Sequence, residues 1–254
     1  MGKRALKGMI LAAGEGTRMR PLTLDRPKPM LPVAGRPAIE YTVAWLRHYG
    51  VRDIVINLYH RPDVVMAHLG DGARFGARIR YGVEGSILGT AGGVRNLAGF
   101  FDDAPFAVVY GDVLTDMDLG ALIDFHRQRA AERPHLTLAL YHAPNPEACG
   151  IVALDDAGRV MRFVEKPPAD DIFSDLANAG VLVMEPGVID LIPPDVFYDF
   201  GNDLIPQMLA EGWPVYGLPI SPEAYLIDFG TPEKYERAQV EWPHTAVYRM
   251  VAGA

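Results

Sequence analysis

Apolar and polar positions follow two rhythms along this chain. In the first half, short continuous apolar runs alternate with stretches whose apolar residues recur three and four apart. Residues 9–12, Asp53–Leu58, Arg78–Val83 and Phe106–Tyr110 read as strands, each bounded by turn-forming residues. Between them, Pro37 opens a helix with Ile39, Val43 and Leu46 on one face and Gly50 as its stop. Residues 64–69 form a shorter helix and residues 92–101 hold another. Asp118 caps a helix that carries Leu119, Leu122, Ile123 and His126 in register. This β-α-β alternation predicts an α/β fold with a doubly wound, mostly parallel sheet. Such sheets bind ligands beyond the carboxyl ends of their strands. Gly14 and Asp112 each follow a predicted strand, so the fold would let them meet there.

The second half is richer in strands. Residues 136–141, 151–154, 160–164, 181–184, 215–218 and 225–227 fit strand patterns, and Asp155-Asp156-Ala157-Gly158 is a hairpin-type turn. Residues 201–211 are expected to be helical. Thr231-Pro232 starts a last helix with a cap and a proline at its first position. No linker, low-complexity segment or internal repeat stands out. The tail, residues 243–254, lacks a strong pattern. Residues 1–242 are therefore expected to form a single domain, with halves of about 1–135 and 136–242.

Composition narrows the function. The 254 residues are 49% hydrophobic, enough for a large core, and the net charge is −8. A non-specific nucleic-acid binder would normally be basic, so nucleic acid is a poor partner. Cys149 is the only cysteine, which excludes an internal disulfide and a thiolate metal site and fits the cytoplasm. Residues 1–7 are basic, but the apolar run behind them breaks at Gly14, a strand pattern rather than a signal peptide. No apolar run approaches the ~20 residues of a membrane span.

Candidate chemistry begins at Leu11-Ala12-Ala13-Gly14-Glu15-Gly16-Thr17-Arg18. A strand feeds a glycine-rich turn, and Lys28 follows between Pro27 and Pro29. Glycines let backbone N–H groups approach phosphate oxygens. Arg18 can grip phosphate as a fork, and Lys28 adds a point charge. The same glycines would equally serve a plain tight turn. Spacing excludes two familiar phosphate loops: no lysine follows Gly16 as a Walker A loop needs, and Met19 stands where a dinucleotide fingerprint needs a small residue. Asp112, in V-V-Y-G-D-V, and Asp228, in L-I-D-F-G-T, both end strands. Together they could hold Mg²⁺, which favours a couple of carboxylates plus phosphate oxygens, although an isolated aspartate there could merely cap a turn. Asp116 and Asp118 read as turn and cap residues. The seven histidines show no metal-like spacing on a helix, and His126 fits a core position. Neither Ser86, Ser174 nor Ser221 sits in a nucleophile motif, and the ten methionines read as core filler.

The pattern G-x-G-T-R-x-x-P-L-T, with P-K-P-M-L-P downstream, resembles the signature of the sugar-phosphate nucleotidyltransferases, or NDP-sugar pyrophosphorylases. The similarity runs from about residue 7 to 240 with its blocks in the family's order. The nearest likeness is to mannose-1-phosphate guanylyltransferase-type enzymes. Many relatives carry a C-terminal β-helix of hexapeptide repeats, which this chain is too short to contain. The resemblance implies a nucleotidyltransferase domain with a strand-rich sugar-binding insertion, and an NTP and a sugar 1-phosphate as partners. It implies Mg²⁺ on Asp112 and Asp228. It gives nucleotide contacts to Leu11, Ala13, Gly14, Gly16, Thr17, Arg18 and Lys28. It implies sugar contacts from Gly150, Glu165 and Asn178, with Lys166 on the sugar phosphate. Cys149 departs from the family's tyrosine before Gly150. Relatives often form homo-oligomers, though no interface is legible here.

Glu84, with Leu88-Gly89-Thr90-Ala91-Gly92, resembles the family's base-reading segment, adding Glu84, Gly89 and Thr90 to the nucleotide set. A carboxylate only accepts, and guanine offers two adjacent donors; with the resemblance of L-G-T-A-G to guanylyl-type enzymes, this makes GTP with mannose 1-phosphate or a similar sugar the expected pair. Uracil and thymine each offer one N–H donor, which keeps UTP or dTTP with glucose or N-acetylmuramate 1-phosphate open. A solvated strand end is the bland reading of Glu84. A catalytically silent nucleotide-sugar-binding regulator would be marked by loss of Arg18, Lys28 or a metal aspartate, and all are present.

Overall fold

The computed structural model describes residues 6–129 and 135–253. The basic start before Leu6, the boundary placed near 135 and the last tail residue fall wholly or partly outside them. In chain order the strands and helices begin β1 (Lys7–Leu11), β2 (Pro32–Val33), β3 (Arg36–Pro37), α1 (Ala38–His48), β4 (Asp53–Leu58), α2 (Pro62–Leu69) and β5 (Arg78–Val83). Then come α3 (Gly89–Asn96), β6 (Phe106–Tyr110), β7 (Val113–Thr115), α4 (Leu119–Arg127), β8 (Leu136–His142), β9 (Gly150–Leu154) and β10 (Val160–Glu165). The remainder is β11 (Leu176–Met184), α5 (Ile205–Ala210), β12 (Val215–Pro219), β13 (Leu226–Asp228), α6 (Pro232–Glu241) and α7 (Ala246–Ala252).

The chain forms two compact units, both discontinuous in sequence. The first comprises residues 1–87, 109–117 and 224–254; the second comprises 88–108 and 118–223. In the first, β1, β4 and β5 pair in parallel, with Leu11 opposite Asn57 and Asn57 opposite Gly82. The Gly111 N–H donates to the Leu11 carbonyl at 2.8 Å, which brings the exits of β1 and β6 together. A Cβ on Gly111 would stand 2.7 Å from that carbonyl oxygen, so the close approach requires glycine. The α1 face expected from periodicity is buried: Ile39, Val43 and Leu46 have no exposure. In the second unit, β8 pairs antiparallel with β11 and parallel with β12, and β9 pairs antiparallel with β10. The α/β class expected from the sequence holds, and the pairing is mixed: parallel among β1, β4 and β5, and largely antiparallel among the strands of the second unit.

Several boundaries differ from the sequence pattern. Pro37 ends β3 and lies just before α1 rather than at its first position. Helix α3 begins at Gly89, three residues earlier than expected, because the N–H groups of Ala91 and Gly92 donate to the Tyr198 carbonyl and complete its first turn. β11 starts at Leu176, so Asn178 lies within a strand. The tail is not patternless: Thr245 caps α7 by accepting from the Tyr248 N–H, Val247 is buried, and Tyr248 meets Tyr41 of α1. A seven-residue helix that buries one apolar side chain leaves too few positions for a periodicity to register.

Candidate active site

The first unit gathers the polyanion-binding candidates at the carboxyl ends of its parallel strands. Gly16 adopts a left-handed conformation, φ 64°, and its carbonyl accepts from Thr23 Oγ1 at 2.8 Å, which closes the glycine-rich turn. Among the described residues, no protein acceptor takes the amide N–H of Ala13, Gly14, Glu15 or Gly16. Consecutive amides without internal partners suit an anion. Thr17 and Arg18 follow in a short 3₁₀ turn and are exposed.

Lys28 is held by a 3₁₀ turn of its own, Lys28–Met30, anchored by the buried Pro29 and Met30. Its Nζ donates to Asp112 Oδ2 at 2.5 Å. Asp112 lies between β6 and β7, and Asp228 ends β13, which pairs with β7 so that Asp228 faces Val113. The Phe229 N–H also donates to the Asp112 carbonyl at 3.1 Å. Burial and the Asp112 charge push the Asp228 carboxyl up, while Lys234 and Lys28 pull it down. A carboxyl pushed up by a neighbouring carboxylate fits a divalent cation, whose charge relieves the repulsion. Gly230 sits at the centre of the cluster. A Cβ there would lie 2.8 Å from Asp228 Oδ1, 3.1 Å from Arg18 Nη2 and 3.4 Å from Lys28 Nζ. The structure therefore brings Arg18, Lys28, Asp112 and Asp228 together. Sequence reasoning missed Gly230 and Lys234, whose Nζ stands 3.5 Å from Asp228 Oδ2. The G-T-P that follows Asp228 and caps α6 was the available signal.

Glu84, one residue past β5, is 4% exposed, which removes the solvated-strand-end reading. Its Oε1 accepts from Asn57 Nδ2 at 2.8 Å.

The second unit holds the remaining candidates. Gly89 has φ 77°, and the carbonyl of Tyr198 lies against it. Thr90 Oγ1 donates to Asp199 Oδ2 at 2.8 Å and accepts from the Phe200 N–H at 2.8 Å. The Thr90 hydroxyl is thus committed to a structural bond. Glu165, at the end of β10, is packed between two glycines: a Cβ at Gly150 or Gly201 would stand 2.5 Å from its Oε2. Burial pushes the Glu165 carboxyl up, and Lys166 partly offsets this. Lys166 is one of few non-glycine residues with positive φ, 48°; its N–H donates to the Cys149 carbonyl and its side chain is exposed. Backbone strain of this kind concentrates at functional positions. Asn178 Oδ1 accepts from the Gly180 N–H at 3.0 Å, where the β11–β8 register shifts. Gly150, Glu165 and Lys166 are adjacent through the β9–β10 pairing, in which Glu165 faces Gly150.

A carboxyl whose folded pKa is raised binds more protons in the folded state, so it lowers stability as pH rises from its unfolded value through its folded value. Glu165→Gln is therefore expected to raise the melting temperature by a few degrees at pH 7, an advantage that vanishes near pH 4. Equal or lower melting at pH 7, measured by calorimetry, would refute this.

One His/carboxylate trio, His126, His135 and Glu185, has ligand atoms within 4.8 Å of one another among the described residues. The two rings stack at 4.1 Å and 30°, which aims their lone pairs side by side rather than at one point. His126 Nδ1 pairs with Thr137 Oγ1 at 2.8 Å, its Nε2 lies 3.4 Å from Glu185 Oε1, and burial pushes its pKa down. His126 thus occupies the core position that its helical register implied. Among the described residues, no helix is long and apolar enough to cross a membrane.

A mixed α/β sheet with a glycine turn, two cations and two carboxylates near its strand ends has the charge arrangement to receive a polyphosphate. The chain matches the Nucleotidyl transferase family over residues 7–244 and belongs to it. It is 37% identical over 246 residues, 92% of its length, to a UTP–glucose-1-phosphate uridylyltransferase of Synechocystis, and covers 62% of that protein. It is 38% identical over 245 residues, 95% of its length, to a mannose-1-phosphate guanylyltransferase of Mycobacterium tuberculosis, and covers 66% of that one. The chain thus spans less than two thirds of either relative. In fold it is similar to a Bacillus anthracis protein solved with a sucrose, with TM-score 0.82 and 23% identity over 95% of this chain and 96% of the other.

Proposed function

We propose that this protein transfers a nucleotidyl group from an NTP to a sugar 1-phosphate, giving an NDP-sugar and pyrophosphate. The observation that carries this reading is the cluster of Arg18, Lys28, Asp112 and Asp228 around Gly230, beside a turn with unpartnered amides. A phosphate oxygen of the sugar 1-phosphate attacks the α-phosphorus; the new P–O bond forms as the bond to pyrophosphate breaks. The attacking oxygen is already ionised, so no general base is needed and catalysis rests on positioning and charge. Arg18 holds the leaving pyrophosphate, and Lys28 stabilises charge on the α-phosphate. Lys166 binds the nucleophile, and Glu165, Asn178 and the Gly150 backbone hold the sugar. Asp112 and Asp228 would hold Mg²⁺, which supplies charge neutralisation at the phosphates.

GTP with mannose 1-phosphate is the pair we favour, supported by the buried carboxylate of Glu84 and by the guanylyltransferase relative. UTP with glucose 1-phosphate is the second reading, favoured by the uridylyltransferase relative of nearly equal identity. The test is pyrophosphate release with Mg²⁺, crossing five NTPs against a panel of sugar 1-phosphates. Release with GTP and mannose 1-phosphate supports the full reading. Release with UTP or dTTP alone discards the base assignment, and release from no pair discards the activity. A cytoplasmic location belongs to the same proposal.

A further inference from the structure

A buried amide at the end of β4 has no role in the account above. Asn57 is 2% exposed and makes two side-chain hydrogen bonds of opposite sense. Its Oδ1 accepts from the Ala12 backbone N–H at 2.9 Å, and its Nδ2 donates to Glu84 Oε1 at 2.8 Å. The Ala12 N–H can only donate and an ionised carboxylate can only accept, so the two neighbours fix the amide in one orientation. In register Asn57 faces Leu11 of β1 on one side and Gly82 of β5 on the other. It is the middle position of three parallel strands at their carboxyl ends, with the glycine turn leaving β1 and Glu84 following β5.

We infer that Asn57 is a positioning residue that sets nucleotide-base selectivity through Glu84; this rests on the reading of Glu84 as the base acceptor. A glutamate carboxylate can rotate about its last bond and present different edges. The bond from Asn57 Nδ2 to Oε1, together with burial and Glu84's other contacts, holds that plane before a base arrives, so Asn57 helps set the direction in which the base must present its donors. The same amide occupies the Ala12 N–H, so the unpartnered amides of the phosphate turn begin at Ala13. One side chain thereby couples the start of the phosphate turn to the base acceptor. No other residue type of this size supplies both an acceptor and a donor in the required sense. Alanine supplies neither, and an ionised aspartate sets an acceptor against Glu84.

The experiment compares kcat/KM for each nucleotide in the wild type, Asn57→Asp, Glu84→Gln and the double variant. Asn57→Asp keeps the acceptor for Ala12 and removes the donor to Glu84 wherever both carboxyls are ionised, so its ratios are read on the alkaline side of the pH profile. Its expected effect is a fall of about tenfold or more in the ratio between the preferred and second-best nucleotide, the scale of a hydrogen bond to a charged group. The loss should lie in the KM for the nucleotide, with the KM for the sugar 1-phosphate unchanged. In the Glu84→Gln background, Asn57→Asp should change the ratio by less than about twofold, because residues acting through one another are non-additive. An unchanged ratio in Asn57→Asp, with only turnover or melting lowered, overturns the inference, as does full additivity. If Asn57→Asp does not fold, Asn57→Ser, which cannot span both partners, is read by the same ratios. The failures separate: if Glu84→Gln leaves the base ranking intact, the Glu84 reading falls. If Glu84→Gln shifts the ranking and Asn57→Asp does not, the Asn57 inference falls alone.

Discussion

Lys28→Ala and Asp112→Ala are each expected to lower kcat at least ~10²-fold, the scale of losing one preorganised charge at a transition state. The two side chains meet at 2.5 Å, and both are only partly exposed. Each therefore sits where charge is poorly screened, and the substrate's phosphates must partly replace their mutual contact. The variants should differ in a second readout. Removing Lys28 leaves Asp112 beside Asp228 without its nearest cation, so the Mg²⁺ concentration for half-maximal residual activity should fall. Removing Asp112 takes away a carboxylate, so that concentration should rise. Steady-state kinetics across a Mg²⁺ series decides it. Near-normal turnover in both variants would remove the pair from the catalytic machinery.

Gly89→Ala is expected to destabilise the second unit by about 2–5 kcal/mol. A left-handed backbone costs a non-glycine residue roughly 1–2 kcal/mol. Overpacking against a rigid neighbour adds about 1–3 kcal/mol. The neighbour is backbone, with the Tyr198 oxygen 2.6 Å and its carbonyl carbon 2.9 Å from the added Cβ. The substitution also disturbs the carbonyl that accepts from Ala91 and Gly92 and so starts α3. Urea denaturation of the variant measures the loss; a change below about 1 kcal/mol would show that the 198–200 segment yields.

Most of the fold was legible in residue order. The strands Asp53–Leu58 and Phe106–Tyr110 match the sequence reading because each is mostly an apolar run, and Arg78–Val83 matches because its buried Ile79 alternates with the exposed Arg78 and Arg80. Asp118 accepts from the Ala121 N–H, as its capping position implied. Boundaries failed where a distant partner decides them. The first turn of α3 depends on Tyr198, and no local pattern within 89–101 reports a carbonyl a hundred residues away. The site candidates were visible as motifs, but their internal commitments were not. Thr90 read as a ligand contact, yet its hydroxyl bonds Asp199. Asn57 carried no motif at all: a polar residue in an apolar run signals a buried partner, and only the parallel register identifies Ala12 and Glu84 as that partner.

The interleaving of the two units has a consequence for how the chain is made. Synthesis runs from the N-terminus, and all of the second unit has been synthesised once Glu223 is added. The first unit is still missing residues 224–254 at that point, and with them Asp228, the buried Phe229 and the buried Trp242, whose ring meets Tyr41 of α1. Its early segments must wait, with apolar surface uncovered, while the inserted unit completes. Arrest of translation between these points would leave a nascent chain that holds Lys28 and Asp112 but lacks Asp228, so the cluster cannot form until the third segment of the first unit has been made.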